Sequence, residues 1–326
     1  MSLRRCLAWL SHLGTLALLF TLYGVVDSQA CSICLCGDDL FFYADARTLL
    51  RHRFELTFQE QYMTKSAGPT ELHQVSETAA ALPADVAHTD NSQETLHEHR
   101  LTLRGSYRVN RTLSFFAKLP MLFRHSTTVT NGVGETDVSS GLGDLEMSAT
   151  LSRELISHPN SSCDGAIVLG LKTPTGRSAL MKDGERIDEH LQPGTGSWGG
   201  QGGVILSRTT MKYSAYASGY IRTTAENDYG YRYGNAYLYN FGYLVRTGPL
   251  WALTAEINGR YAKRDKLSGA ELHNTGGSVA YLTPGARFLV SPRVNLIVNV
   301  RIPVIQRLND NQKEGIVVVG EIGLRR

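Results

Sequence analysis

Beyond residue 30 the sequence contains no long apolar run. A membrane-spanning helix needs about 20 consecutive apolar residues, so that part of the chain cannot be a helical membrane protein. Charge is also scarce: 19% of the residues are Asp, Glu, Lys or Arg, and the formal net charge is only +3. Without a clustered basic stripe, that balance leaves no electrostatic footprint for nucleic acid. Gly194-x-Gly196 and Gly199-Gly200 lack the strand-to-helix setting of a phosphate-binding loop. The ten histidines stand without a Gly-x-Ser-x-Gly motif or a recognisable serine partner. Nothing assembles a nucleophile, a base and an oxyanion site, so no enzyme is expected.

What is present begins with an export signal. Arg4 and Arg5 precede the apolar stretch Leu13–Val26, and Ser28-Gln29-Ala30 forms a small-x-small cleavage site. This is the anatomy of a secretory signal peptide over 1–30. The reading divides the remainder into a Cys-rich segment at 31–50 and one large all-β unit at 51–326.

The β assignment comes from alternation. Phe54-Glu55-Leu56-Thr57-Phe58-Gln59, Leu101–Val109, Leu145–Leu151 and Val294–Ile302 each alternate apolar with polar residues, giving every strand one greasy and one polar face. A soluble sandwich shows the same alternation; run length and loop parity separate the two. About twelve runs are expected, near 53–64, 96–109, 112–124, 143–154, 164–173, 201–209, 212–224, 235–247, 250–262, 275–290, 293–304 and 314–324. Many are longer than the usual strand of about 5 or 6 residues, and tilted bilayer-crossing strands need about 9 to 11. Short connections at Asn110-Arg111, Thr210-Met211, Arg246–Pro249 and Ser291-Pro292 alternate with long polar ones at 66–94, 125–141, 174–199, 225–234, 263–273 and 305–313. Only 155–163 breaks the pattern, as a longer turn on the short side. A sandwich has no reason to sort its loops in this way. The expected fold is therefore a transmembrane antiparallel β-barrel of about twelve strands in a bacterial outer membrane, with its N-terminus periplasmic.

The polar face would line the lumen: Arg53, Glu55, Arg104, Arg108, Lys118, Asp144, Glu146, Lys172, Arg222, Glu256, Arg260, Arg301 and Glu321. Cations outnumber acids, which hints at a mild preference for anions; alternatively the charges pair and fill a narrow interior. Tyr229, Tyr231, Tyr233, Tyr237, Tyr239 and Tyr243 crowd one strand and its loop, where an aromatic girdle at the membrane interface would use them. His97-x-His99 puts two rings on one strand face, either as a weak metal site or as a solvated outer-loop pair. Gly141, Gly143 and Gly176 are expected at loop-to-strand junctions, and Pro174 and Pro303 near strand ends.

The cysteines allow more than one chemistry. Cys31, Cys34 and Cys36 open the exported chain, and Cys163 falls in the 155–163 turn on the same side. An oxidising compartment favours disulfides, with Cys163 as a partner that would tether the N-terminal segment. Closely spaced thiolates also suit copper or zinc. Haem attachment is unsupported, because Leu35 rather than His follows Cys34.

Several Gly-rich pieces occur in a fixed order: Gly141-Leu142-Gly143-Asp144-Leu145, Leu169–Gly176, Leu191–Ser197, Thr283-Pro284-Gly285 and Ile302-Pro303-Val304. This ordered set, covering about 110–324, resembles the outer-membrane β-barrel transporter family associated with the meta-cleavage pathway of phenol degradation. The resemblance implies a barrel that moves small molecules passively, without catalytic residues and without a required cofactor. Its expected partners are outer-membrane lipid, a small organic or anionic solute and the outer-membrane assembly machinery. One departure is the ending Gly323-Leu324-Arg325-Arg326, where many bacterial barrels carry a terminal aromatic residue. The alternative function is a barrel-anchored periplasmic metal or redox binder that uses the three N-terminal cysteines.

Overall fold

A computed structural model describes residues 53–67, 92–130, 132–309 and 311–326. The signal peptide and the N-terminal cysteines lie outside the described residues. In chain order the first strands are β1 (Phe54–Ala67), β2 (Ser92–Arg108), β3 (Leu113–Thr130), β4 (Val133–Leu142), β5 (Glu146–His158) and β6 (Ser161–Lys172). A two-residue hairpin, β7 (Met181–Lys182) and β8 (Glu185–Arg186), precedes β9 (Gly199–Thr210) and β10 (Tyr213–Thr224). Then come β11 (Tyr231–Arg232), β12 (Ala236–Arg246), β13 (Trp251–Ala262), β14 (Lys266–Leu267) and β15 (Ala270–Glu271). The last three are β16 (Gly277–Ser291), β17 (Val294–Leu308) and β18 (Lys313–Arg325).

Twelve of these strands close into a ring in the order β1, β2, β3, β5, β6, β9, β10, β12, β13, β16, β17, β18. The antiparallel pairing of β18 with β1 completes it, from Glu55↔Arg325 to Ser66↔Lys313. Closure satisfies every edge that an open sheet would leave bare. The burial pattern is inverted relative to a protein in water. Ile167, Leu169, Val204 and Leu253 are more than half exposed on the outer face, whereas Arg104, Gln61, Asn240 and Thr283 inside are at most 1% exposed. No second sheet covers the greasy side, which excludes the sandwich.

Short turns gather at one end: 109–112, 159–160, 211–212, 247–250 and 292–293, beside the start of β1 and the end of β18. The ordered loops at the opposite end are longer, chiefly 173–198, 225–235 and 263–276. Three expectations need correction here. The connection at 125–141 is no loop: β3 continues to Thr130 and turns directly into β4, from Met121↔Leu142 to Thr130↔Val133. Polar residues such as Ser126 and Thr128 disguise this stretch as loop, although its alternation never stops. The turn at 155–163 shrinks to 159–160, because β5 runs on to His158 after an irregularity between Glu154 and Ile156. Cys163 thus belongs to β6, buried opposite Ile156 and Arg208. Pro303 sits within β17 rather than at its end. Its neighbourhood tolerates the missing N–H, since the β16–β17 register slips between Ala280 and Tyr281 and the β18 ladder stops at Arg301↔Val317.

Aromatic side chains mark both ends of the wall. Near the short turns Tyr213 stacks on Tyr243 at 5.8 Å between ring centroids, and Trp251 meets Phe288 at 4.4 Å. Toward the long loops Tyr237 stacks on Tyr261 at 5.9 Å. The tyrosine group divides, however: Tyr231 and Tyr233 are buried within the loops instead of joining a girdle.

Candidate functional site

The lumen is built by parity. Even-numbered residues of β2 and odd-numbered residues of β18 point inward, so Arg104 of one strand meets Glu321 of the other at 2.6 Å, and Gln59 of β1 donates to the same carboxylate at 3.3 Å. Ion pairs of this kind fill much of the interior. Lys118 and Arg222 both reach Glu146, at 3.4 and 2.8 Å. Arg100 and Arg124 both reach Glu98 at 2.6 Å. Arg260 pairs with Glu314, Glu55 with Arg325 at 3.1 Å, and Glu256 accepts from Tyr216 and Asn258. Arg301 is buried inside the wall. A buried charge left without a partner costs several kcal/mol, so the pairing keeps a polar interior tolerable behind a greasy wall.

Of the residues read as lumen-lining, Arg53 departs. It precedes β1, is exposed, and donates to the Tyr107 hydroxyl at 3.1 Å on the outer rim. The pair His97 and His99 lies within β2 on the outer face, not in a loop: the His97 ring nitrogen is 3.0 Å from the Tyr62 hydroxyl and the His99 ring 4.7 Å from the Tyr62 ring. Among the described residues no group of three or more His, Cys, Asp or Glu is arranged to hold a metal ion.

Sequence reasoning missed Glu98, Arg100, Arg124, Glu314 and Tyr216. The parity that found Arg104 would have found Glu98 and Arg100, had the polar start of β2 been read as strand. Arg124 sat at an expected strand end, and its partner carbonyl belongs to a loop.

That loop, 173–198, folds onto the barrel at the long-loop end. Arg124 donates to the Gln192 carbonyl at 2.8 Å and Ser139 to the Leu191 carbonyl at 2.7 Å. The Gln192 side chain holds the loop together from within, bonding Leu180 and Ile187. Leu191, Tyr231, Tyr233 and Leu272, from three different loops, pack with Leu96 of β2 into a small apolar core that caps the opening. Tyr231 ties the cap sideways, donating to Asp265 at 2.6 Å with the His190 ring nitrogen 3.0 Å away.

The Gly-rich pieces meet at the foot of this cap. The ladder partner of β3 changes from β5, ending at Lys118↔Glu146, to β4, beginning at Met121↔Leu142. In the gap between them, Gly143–Leu145, Asp144 turns inward. One carboxylate oxygen accepts from the Gly176 N–H at 3.0 Å. The other accepts from the Thr195 N–H at 3.0 Å, the Thr195 hydroxyl at 2.6 Å and Lys172 at 3.0 Å. Gly143, Gly176 and Gly194 pack backbone against backbone: a Cβ on Gly176 would lie 2.6 Å from the Gly143 carbonyl carbon, and one on Gly194 2.5 Å from that of Gly176. Close approach is what these positions need from glycine.

Two cavities remain. One of about 1060 Å³ opens at the short-turn end, with Arg108, Arg246, Arg287 and Arg325 in its wall. A smaller one of about 90 Å³ lies between the Asp144 knot and the inner wall.

A family profile described as "Putative MetA-pathway of phenol degradation" matches residues 90–305 and so contains the whole knot. The chain belongs to this family. No curated protein matches it. Among solved structures, an outer-membrane channel from Pseudomonas putida F1 is 14% identical with a TM-score of 0.61, covering 84% of this chain and 95% of the channel. That likeness establishes the fold of an outer-membrane barrel. More distant are the toluene transporter TbuX of Ralstonia pickettii, 9% identical with TM-score 0.40 over 85% of this chain and 90% of that one, and the translocator domain of the autotransporter NalP from Neisseria meningitidis, 9% identical with TM-score 0.43 over 88% and 100%. The family motifs Gly141–Leu145, Leu169–Gly176 and Leu191–Ser197 are the segments that converge on Asp144 and Thr195.

Proposed function

We propose that this family member resides in the outer membrane and conducts small solutes passively, with its short-turn end and N-terminus toward the periplasm. The observation that carries the reading is the inverted wall: a closed ring of twelve strands, greasy outside and polar inside, leading to a wide mouth at the short-turn end. A ring of this kind makes sense only with lipid around it. The orientation follows the loop asymmetry of bacterial barrels, whose short turns face the periplasm. Paired side chains and a folded loop narrow the interior, which limits passage to small molecules.

Vesicles containing the purified, folded barrel should swell in small organic solutes faster than empty vesicles, and more slowly as solute size grows. A folded barrel that leaves the vesicles as tight as the empty ones overturns the conduit. Copper or zinc at Cys31, Cys34 and Cys36 is a separate proposal, supported by cysteine spacing alone. It fails if a triple Cys→Ser protein purified without chelator retains the metal content of its parent.

A further inference from the structure

The small cavity beneath the cap has an uneven charge balance. Arg100, Lys118, Lys172 and Arg222 line it, against only two carboxylates, Asp144 and Glu146. Both carboxylates are already engaged, Asp144 by Lys172 and Glu146 by Lys118 and Arg222. A surplus of two positive charges therefore faces the space. Elsewhere in the interior paired cations are sealed, with Arg104 at 2% side-chain exposure and Arg124 at 0%. Around this cavity they are not: Lys118, Lys172 and Arg222 keep 14%, 16% and 21%.

The rest of the lining is apolar. Leu122, Pro193 and Tyr233 cover one side. A space that combines half-exposed cations with greasy walls suits a ligand that is itself divided, an anionic head on an apolar body. Volume sets the scale: about 90 Å³ is somewhat less than the roughly 150 Å³ void that admits benzene, so the body can be no larger than a single ring.

We propose that this cavity is a binding site for small organic monocarboxylates with an apolar body of up to one aromatic ring. The carboxylate lies against Lys118 and Arg222, and the body against Leu122 and Tyr233. The inference names a solute class for the proposed conduit and rests on that reading for its biological role, although binding can be measured without transport. Charge-assisted hydrogen bonds to a carboxylate discriminate strongly against a neutral analogue of the same shape.

The test is calorimetric titration of the full, detergent-folded barrel with benzoate, benzyl alcohol and benzylamine. Benzoate should bind at least tenfold more tightly than benzyl alcohol, and protonated benzylamine more weakly than either. Lys118→Met and Arg222→Met should each weaken benzoate at least tenfold and leave benzyl alcohol nearly unchanged, while Lys266→Met, which removes an equal charge from an exposed loop, changes neither. Each of the two cavity variants leaves Glu146 with its other cation, and heat-modifiable gel mobility verifies folding. If one does not fold, the other decides. The proposal is overturned if benzoate and benzyl alcohol bind alike, or if Lys266→Met weakens benzoate as much as the cavity variants do. Benzoate binding in a barrel that fails to swell vesicles would sink the conduit and keep the site; swelling without that selectivity would do the reverse.

Discussion

Asp144 and Thr195 stand 51 residues apart and are joined twice, by the Thr195 N–H at 3.0 Å and by its hydroxyl at 2.6 Å, both on one carboxylate oxygen. The first residue interrupts the wall and the second belongs to the folded loop, so this pair is where the loop is fastened. Asp144→Ala would strand Lys172 and three further donors at a buried position, at a cost of about 3–5 kcal/mol. Thermal unfolding in detergent should fall accordingly. Limited proteolysis should produce new cuts between residues 174 and 198. Asp144→Asn keeps acceptor oxygen but loses the charge, and should fall between the two. An unchanged protease pattern in Asp144→Ala would show that the apolar cap alone holds the loop.

The glycines beside that carboxylate give a steric version of the same test. Gly176→Ala would force a methyl carbon to within 2.6 Å of the Gly143 carbonyl carbon and 2.7 Å of the Gly194 Cα. Backbone atoms cannot swing aside as a side chain can, so an overpacking cost of about 1–3 kcal/mol is expected. Gly105→Ala is the matched control, since a Cβ there meets nothing within 4 Å. Combined with Asp144→Ala, the Gly176→Ala cost should be less than additive, because both changes loosen one contact. Full additivity in melting measurements would mean that the two act on separate parts of the loop.

How much of this could be read from the chain depends on which periodicity each residue obeys. Leu101–Val109 and Val294–Ile302 alternate cleanly, and β2 and β17 appear where that alternation put them. Lipid enforces the pattern, because each outward residue answers to the same solvent. Beyond the greasy band the constraint relaxes. The polar ends of β2, β3 and β17 kept the period of two without its hydrophobic signature, and they read as loop. Lumen parity identified Arg104 and Glu321 one strand at a time, but pairing them needs ring closure, which no local pattern encodes. Asp144 looked like one more inward charge; that it anchors Gly176 and Thr195 follows from three segments converging at a gap between β4 and β5. The burial of Tyr231 and Tyr233 was hidden for the same reason, as their partners Leu96, Leu191 and Leu272 come from distant parts of the chain.

Ring closure has an energetic test. Arg104 and Glu321 connect β2 to β18 across β1, 2.6 Å apart and both nearly fully buried. Arg104→Met should cost about 3–5 kcal/mol, because it leaves the carboxylate of Glu321 buried without its guanidinium. The double variant Arg104→Met with Glu321→Met should recover at least half of that loss, since two apolar side chains demand no partner. Denaturant unfolding of the two singles and the double gives the coupling directly. A double variant no more stable than the worse single would show that the pair acts through neighbours such as Gln59 rather than as a pair.

Outside the wall, the β7–β8 hairpin is fastened by a single lysine. Lys182 donates to Asp137 at 2.6 Å and to Glu135 at 2.8 Å, both on β4. The hydrogen bond to Asp137, and then that to Glu135, raise the lysine above its ordinary value of 10.5. A raised lysine stabilises the bound form fully below its unfolded value, and the contribution is lost only as pH climbs through the higher folded one. The hairpin should therefore stay attached across the neutral and moderately alkaline range, and loosen on the alkaline side only above about pH 10.5. Because the contact is exposed, salt should weaken it. A spin label on Asp183 reads this directly: its mobility should be flat from neutral pH to moderate alkalinity and rise in strong alkali, and Lys182→Met should show the mobile signal at every pH. A label already mobile at neutral pH in the unmodified protein would show that the lysine contact does not hold the hairpin on β4.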